Sequence, residues 1–140
     1  MGPFFKEDAK LVEKVQKRAT KVVPELRNMA YEDRLRTLNL PSLQHRRRRG
    51  DMIFTYKIMS GKVNLDPSEI FTMAKKTMRS HKYKIQKTKV KSTRKQNAFS
   101  NRIVHDWNIL PSKIVTSKTT NDFKNSLDEH WRVEMFQTPF

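Results

Sequence analysis

Apolar positions recur at helical spacing between Leu11 and Leu26. At 100° per residue they fall within about 120° of arc, which predicts an amphipathic helix whose apolar side faces the core. Pro24 lies late in the pattern, so we expect the helix to end or kink near Val23. The members of this apolar stripe are Leu11, Val12, Val15, Ala19, Val22, Val23 and Leu26.

Two more helices follow, each with end signals. A short helix should run from about Tyr31 to Leu38, because Asn39 can take the left-handed conformation that closes a helix. A longer helix should run from about Leu43 to Met59, with Ser42 as its N-cap and Gly61 just past its end. Its apolar residues occupy two faces, so we expect other helices on both sides of it. These faces carry Leu43, Phe54 and Ile58 on one side and Met52, Tyr56 and Met59 on the other.

The C-terminal part of the chain carries shorter helical signals. Asp66 followed by Pro67 predicts the capped start of a short helix. The last helix should be capped by Thr120 or Asn121, and we expect the residues after Trp131 to be frayed. Both tryptophans lie on apolar helical stripes, which favours core packing over base stacking. The stripes are Phe99, Ile103, Trp107 and Leu110, ended by Pro111, and then Phe123, Leu127 and Trp131.

The segment from Lys75 to Lys95 differs from the rest of the chain. It contains ten basic residues and no acidic one. Lys82-Tyr83-Lys84-Ile85 and Lys89-Val90-Lys91 alternate charged and apolar side chains, which is the period of a strand. We therefore predict a loose basic β-ribbon or extended arm at about residues 78–96.

Together these elements predict a mostly α fold, a small bundle of about five helices with the basic arm. We expect a single domain over residues 1–140, with helices at 1–74, the arm at 75–96, a helical pair at 97–131 and a tail at 132–140. Hydrophobic residues make up 36% of the chain, below the roughly 45–50% of an average domain, so any core is modest.

The net charge of the chain indicates which classes of partner it binds. Lys and Arg number 30 against 14 Asp and Glu, giving a formal charge of +16. Residues 1–104 carry 26 basic and 9 acidic side chains, whereas residues 105–140 carry 4 and 5. A polyanion screens such an excess best, and nucleic acid is the most common partner of this kind, followed by an anionic membrane. The site should therefore lie in the first three quarters of the chain.

Three groups of cations are candidates for contacts with phosphates: a lysine stripe opposite the apolar stripe, an arginine cluster at the start of the long helix, and the arm, where Tyr83 could stack on a base. For the lysine stripe, the alternative is a solvated helix face. For the arginine cluster, it is an ion-paired cluster or a nuclear-localisation signal, and for the arm it is a plain linker. The candidate residues are Lys10, Lys14, Lys17 and Lys21 in the lysine stripe; Arg46, Arg48 and Arg49 in the arginine cluster; and Lys75, Lys76, Arg79, Lys82, Tyr83, Lys84, Lys87, Lys89, Lys91, Arg94 and Lys95 in the arm.

Acidic residues and histidines give no sign of catalysis. Glu13 and Asp51 are expected to pair within their own helices, with Lys17 and Arg47 respectively. Nucleotidyl transfer needs paired carboxylates to hold metal ions, and the chain contains no Asp-Asp pair. The four histidines lack the spacing of a metal site, and cysteine is absent. We therefore expect no catalytic centre, metal or cofactor.

Four blocks of sequence occur in a characteristic order: residues 11–21, 31–43, 46–61, and 99–111 followed by 123–131. Over residues 8–131, their order and spacing resemble the C-terminal end of non-LTR retrotransposon reverse transcriptases of the jockey-like and chicken-repeat-like long interspersed elements. The resemblance implies a position just after the polymerase palm, in the thumb, which typically holds a primer–template duplex by its backbone. Asn39 stands where the family often has Gly, and Ser80 stands where Gly is frequent.

The leading hypothesis is a non-catalytic, nucleic-acid-binding C-terminal fragment of an RNA-directed DNA polymerase. Its partners would be RNA, DNA or their hybrid, and the palm domain of the parent polymerase. The alternatives are an expressed remnant without activity and, less favoured, a peripheral binder of anionic membranes. The sequence has no run of about 20 apolar residues and no signal-peptide pattern, which predicts an intracellular protein of the nucleus or cytoplasm.

Overall fold

The structure is a computed structural model that describes residues 6–75, 81–87 and 98–138. Within these ranges the chain is mostly helical and contains no strand, which confirms the predicted class of a small helical bundle. Two compact units are present. The first contains the described residues up to Arg48 and from Trp131 onward, and the second contains those from Arg49 to His130.

The long third helix contributes to both units, so the predicted segments do not coincide with them. The first unit contains α1 (Lys6–Ala19), 3₁₀ turns at Thr20–Val22 and Pro24–Leu26, α2 (Tyr31–Leu38), the start of α3 (Leu43–Met59) and a 3₁₀ turn at Arg132–Glu134. The second unit contains the rest of α3, α4 (Pro67–Ile70), α5 (Phe99–Arg102), α6 (Val104–Asn108), α7 (Ser112–Val115) and α8 (Thr120–His130).

Four helix boundaries lie where the sequence predicts them: the ends of α2 and α3 and the starts of α3 and α4. Asn39 closes α2 at φ 51°, and Gly61 follows α3 at φ 71°. The Ser42 hydroxyl accepts the His45 N–H at 3.1 Å at the start of α3. The Asp66 carboxylate accepts the Ser68 N–H at 2.9 Å at the start of α4. The caps and the left-handed turns were predictable because each depends on a few neighbouring residues. 

Two predicted helix ends are displaced. The cap of α8 is Thr119, whose hydroxyl accepts the Asp122 N–H at 3.1 Å, one residue before the predicted position. The first helix ends at Ala19, and a 3₁₀ turn carries the chain on towards Val23. Proline cannot supply a backbone N–H at position 24, so tightening of the preceding turn is the expected response.

The orientation of α1 differs from the prediction. Leu11, Val15 and Val22 of the apolar stripe are 59%, 68% and 76% exposed. Glu13 of α1 and Thr20 just after it are buried instead. The expectation that the apolar stripe faces the core is therefore wrong for these residues.

Hydrogen bonds explain which side of α1 is covered. The Gln16 side-chain amide donates to the Tyr31 hydroxyl and to the Pro41 carbonyl, each at 3.1 Å. Glu13 accepts the Tyr31 hydroxyl at 2.5 Å and the Leu43 N–H at 3.3 Å. Because a buried polar atom needs a partner, these bonds hold the polar side of α1 against α2 and the start of α3.

The apolar stripe borders an open groove in the first unit. The groove has a volume of about 530 Å³. Most of its lining is aliphatic, so it leaves apolar surface in contact with water. Its lining residues are Val12, Val15, Gln16, Ala19, Thr20, Val23, Leu38, Leu40 and Leu43.

Aromatic side chains form the core of the second unit. Trp107 and Phe123 are fully buried, and Tyr56 is almost so. The Tyr56 and Phe123 rings stack with their centroids 4.4 Å apart and their planes at 13°. The Trp107 indole N–H donates to the Tyr83 carbonyl at 2.9 Å, so the polar atom of this buried ring is satisfied. The predicted core role of Trp107 is confirmed.

The chain after α8 packs into the first unit. Trp131 is buried, and the Arg48 guanidinium lies 4.6 Å from its ring centroid. Farther on, the Thr138 N–H donates to the Glu32 carboxylate at 3.2 Å. The predicted core role of Trp131 is therefore confirmed, whereas the predicted fraying is wrong for residues 132–138, which are held by contacts distant in sequence.

Residues 81–87 are the described central part of the arm, and they are anchored. Ile85 is buried and forms an isolated antiparallel bridge with Met73. The Asn108 side chain accepts the Ile85 N–H at 2.8 Å and donates to its carbonyl at 2.7 Å. The alternating pattern thus gives one isolated bridge among residues 81–87, and the predicted β-ribbon or extended arm is not confirmed.

Candidate nucleic-acid interface

The lysine stripe occupies an accessible side of the first unit. Lys14, Lys17 and Lys21 are exposed, and Lys10 is partly exposed. Lys10 pairs with Glu7 at 3.2 Å, whereas the other three form no ion pair with a described residue. The structure therefore brings these predicted cations together and leaves three of them available to an external anion.

Three of these lysines line a pocket of about 470 Å³, which we call the lysine pocket. The Lys17 ammonium lies 5.9 Å from the centroid of the Tyr31 ring. A volume of this size falls within the range of small-molecule binding sites. The lining residues are Lys10, Glu13, Lys14, Lys17, Ala30, Tyr31, Glu32 and Thr138.

Glu13 lines the lysine pocket, but its carboxylate is engaged inside the first unit. It accepts the Tyr31 hydroxyl at 2.5 Å and the N–H groups of Leu43 and Gln44 at 3.3 Å each. The last two are orphan N–H groups at the N-terminus of α3, where the helix dipole favours a negative charge. The predicted pairing of Glu13 with Lys17 is therefore replaced by a cap on a different helix.

Tyr31 is held in its neutral form. Burial raises the pKa of Tyr31 well above its ordinary value, and the hydrogen bond to Glu13 raises it further. The phenol therefore stays a hydrogen-bond donor to Glu13 at any pH near neutrality.

Arg34 places a buried positive charge beside the lysine pocket. Its guanidinium carbon lies 5.5 Å from the centroid of the Tyr31 ring. It donates to the Thr20 hydroxyl at 2.9 Å, to the Lys17 carbonyl at 3.2 Å and to the Met29 carbonyl. All three acceptors are neutral, so hydrogen bonds satisfy the guanidinium without cancelling its charge. A buried charge is screened less than a surface one and adds to the positive potential of the pocket.

Sequence reasoning missed Tyr31 and Arg34 as parts of the site. They lie three residues apart, and residues at that spacing share a face of a helix. That spacing was the available signal, but nothing in it indicated that both would be buried beside α1.

The arginine cluster has acidic partners far away in the sequence. Arg48 pairs with Glu134 at 3.2 Å within the first unit. Arg49 forms two bonds to the Asp128 carboxylate, at 2.6 and 3.0 Å, within the second unit, and this contact raises the pKa of Arg49. Arg46 is exposed. Two of the three candidate arginines thus have structural roles that the sequence did not indicate.

Asp51 has a partner that is distant in the sequence. Both of its carboxylate oxygens accept hydrogen bonds from Arg102, at 2.8 Å each. The pair is partly buried, and the hydrogen bonds to Asp51 raise the pKa of Arg102. Asp51 therefore forms a bidentate pair across 51 residues, which the sequence did not indicate.

The arm is described only in part. Its exposed cations are Lys75, Lys82 and Lys87, whereas Lys84 and Tyr83 are partly buried. The Lys82 ammonium lies 5.1 Å from the centroid of the Tyr83 ring. The other predicted arm residues, Lys76, Arg79, Lys89, Lys91, Arg94 and Lys95, lie outside the described residues.

The described residues show no constellation for metal binding. Among them, no group of three or more His, Cys, Asp or Glu side chains is arranged to hold a metal ion. In the same ranges, every helix is too short or too polar to cross a bilayer.

Comparisons with known proteins identify no relative of this chain. The chain matches no protein-family model, no curated protein and no solved structure.

Proposed function

We propose that this chain is a non-catalytic module that binds the phosphate backbone of nucleic acid. The observation that carries the proposal is that Lys14, Lys17 and Lys21 share one exposed side of the first unit and form no ion pair with a described residue. Such cations can neutralise phosphates, and the release of the counterions condensed on the nucleic acid drives binding.

The resemblance to retrotransposon reverse transcriptases supports the same function. In a thumb, helices contact the backbone of a primer–template duplex, and an exposed lysine stripe suits that task. We therefore propose that the chain corresponds to the C-terminal segment of such an RNA-directed DNA polymerase, with RNA, DNA or their hybrid as its partner. It would act beside the parent's palm domain and carry no catalytic centre of its own.

The salt dependence of binding tests this function. Neutralising about 5–8 phosphates gives a log–log slope of affinity against salt of about −4 to −7 on duplex nucleic acid. Fluorescence anisotropy with a labelled duplex, titrated at several salt concentrations, measures the slope. A slope near zero, or no binding at low salt, would contradict the proposal and favour an inactive remnant.

A matched pair of triple variants locates the contact. Changing the three exposed lysines of the stripe, Lys14, Lys17 and Lys21, to Gln should reduce the salt slope by about 2–3, since each lost phosphate contact removes about 0.9. The control changes Lys62, Lys113 and Lys118, also exposed, to Gln and removes the same charge. Equal losses in both variants would show that net charge alone drives binding.

The exposed apolar stripe favours one second candidate, a peripheral binder of anionic membranes. Leu11, Val15 and Val22 are more than half exposed on the side opposite the lysine stripe, which is the pattern of a helix that lies in a membrane surface. Sedimentation with anionic and with neutral vesicles tests it. Binding to anionic vesicles that is lost on changing Val15 and Val22 to Glu, while nucleic-acid binding is weak, would favour the membrane.

A further inference from the structure

We propose that the lysine pocket binds the terminal phosphate group of a nucleic-acid strand. This inference rests on the proposed function and names the part of the ligand that the pocket would hold. A flat or convex basic surface suffices for contact with an internal backbone. A concave pocket of about 470 Å³ instead accepts a group that protrudes, such as the end of a strand.

Three lysines of α1 line the pocket, and one of them, Lys10, also pairs with Glu7 at 3.2 Å. Lys10, Lys14 and Lys17 are separated by four and three residues, so they lie one above another on the same side of α1. Their flexible side chains can converge on one group in the pocket that they line. A terminal phosphate carries about −1.5 to −2 charges near pH 7, more than the single charge of an internal phosphodiester, and so gains more from several ammonium groups.

The two carboxylates that line the pocket already have hydrogen-bond partners of their own. Glu13 caps the N-terminus of α3 through the N–H groups of Leu43 and Gln44. Glu32 accepts the Thr138 N–H at 3.2 Å and lies 4.0 Å from the Arg36 guanidinium. These partners reduce the repulsion that either carboxylate would exert on an incoming phosphate.

One further cation, Arg34, lies beside the pocket. Arg34 adds the charge of a buried guanidinium whose hydrogen-bond acceptors are neutral, 5.5 Å from the Tyr31 ring centroid. Lys17 lies 5.9 Å from the same centroid. The Tyr31 hydroxyl is hydrogen-bonded to Glu13 and Gln16. An anion in the pocket would therefore be bound by lysine ammonium groups, and the Tyr31 ring would only line the pocket.

Oligonucleotides that differ only at their ends test this inference. We would measure the affinity of the full chain for four single strands of one sequence, carrying a 5′-phosphate, a 3′-phosphate, both or neither. At least one phosphorylated end should bind about tenfold tighter than the strand without one, the gain expected from an additional charge-assisted hydrogen bond. The preference should shrink below about pH 6, where the second phosphate proton returns.

A pocket-filling variant separates this site from the general lysine surface. Ala30 lines the pocket and is exposed, so Ala30→Phe should occupy the volume while every lysine remains. The preference, measured as the ratio of the affinities of the variant for the phosphorylated and the unphosphorylated strand, should fall to about one. Circular dichroism confirms that the variant is folded.

The outcomes distinguish the two proposals. Equal affinity for all four strands, or a preference that survives Ala30→Phe, would overturn the terminal-phosphate site and leave backbone binding intact. Absence of binding to every strand at low salt would overturn both. If Ala30→Phe unfolds, the comparison is made with Thr138→Phe, which fills the same pocket from the opposite part of the chain.

Discussion

The Tyr31 hydroxyl donates a 2.5 Å hydrogen bond to the Glu13 carboxylate, and this contact decides which side of α1 is buried. The same carboxylate caps α3 through the N–H groups of Leu43 and Gln44. One acidic residue therefore ties three helices of the first unit together. The side chains of Lys14 and Lys17 in α1 remain exposed.

Replacing Glu13 should destabilise the chain more than replacing an ordinary surface acid. Glu13→Ala leaves the Tyr31 hydroxyl and two backbone N–H groups without their acceptor, which should lower the free energy of unfolding by about 2–4 kcal/mol. Glu25→Ala is the control, because Glu25 is exposed in the same unit, and its effect should stay within about 0.5 kcal/mol. Urea unfolding followed by circular dichroism measures both, and equal effects would contradict the role of Glu13.

Alkaline pH should destabilise the chain through its buried tyrosines. Burial raises the pKa of Tyr31 and of Tyr56 above the ordinary value of about 10. The folded state thus keeps protons that the unfolded chain has lost. The resulting stability is complete below about pH 10 and is lost as pH rises through the raised pKa values.

Tyr31→Phe should flatten this alkaline loss. The variant loses the hydrogen bond to Glu13, so its stability at neutral pH should fall by about 1–2 kcal/mol. Its stability should then decline less steeply than that of the original chain above about pH 10, because one titrating group is gone. Urea midpoints at a series of pH values measure the slopes. Parallel curves for the two chains would contradict the assignment to Tyr31.

The exposed apolar stripe predicts that α1 tolerates polar substitutions at its exposed apolar positions. Val15→Gln should change the free energy of unfolding by less than about 0.5 kcal/mol, because Val15 is 68% exposed and Gln is a good helix former. Leu35→Ala, at a fully buried position of α2, should cost about 2–5 kcal/mol. Thermal and urea unfolding compare the two. A large cost at Val15 would show that the apolar stripe is covered in solution.

The sequence predicted the features that depend on neighbouring residues. The bounds of α2 and α3, the turn at Asn39 and the cap at Ser42 follow from local backbone chemistry. The buried side of α1 did not follow from local chemistry, because helical periodicity identifies an apolar stripe without showing what packs against it. In this unit the polar contacts of Glu13 and Gln16 outweigh the stripe, and no property of α1 alone reveals Tyr31 as their partner.

In the candidate site, too, the sequence predicted what depends on neighbouring residues and missed what depends on distant ones. Periodicity placed the lysines of α1 on one side of the helix, and the structure keeps them there. The arginine cluster could not be resolved in this way, since the acids that bind Arg48 and Arg49 lie 86 and 79 residues away. A run of arginines in a sequence therefore gives the amount of charge, and only the fold shows how much of it is available to a ligand.

Releasing Arg49 from its partner should strengthen binding to nucleic acid. Asp128→Asn removes the carboxylate that holds the guanidinium at 2.6 and 3.0 Å, so Arg49 becomes available to a phosphate. The control is Glu129→Gln, which removes the same charge from the neighbouring exposed position. Anisotropy titrations at several salt concentrations should show a steeper salt slope, by about 1, for Asp128→Asn and an unchanged slope for Glu129→Gln. Identical slopes in the two variants would mean that Arg49 does not reach the ligand.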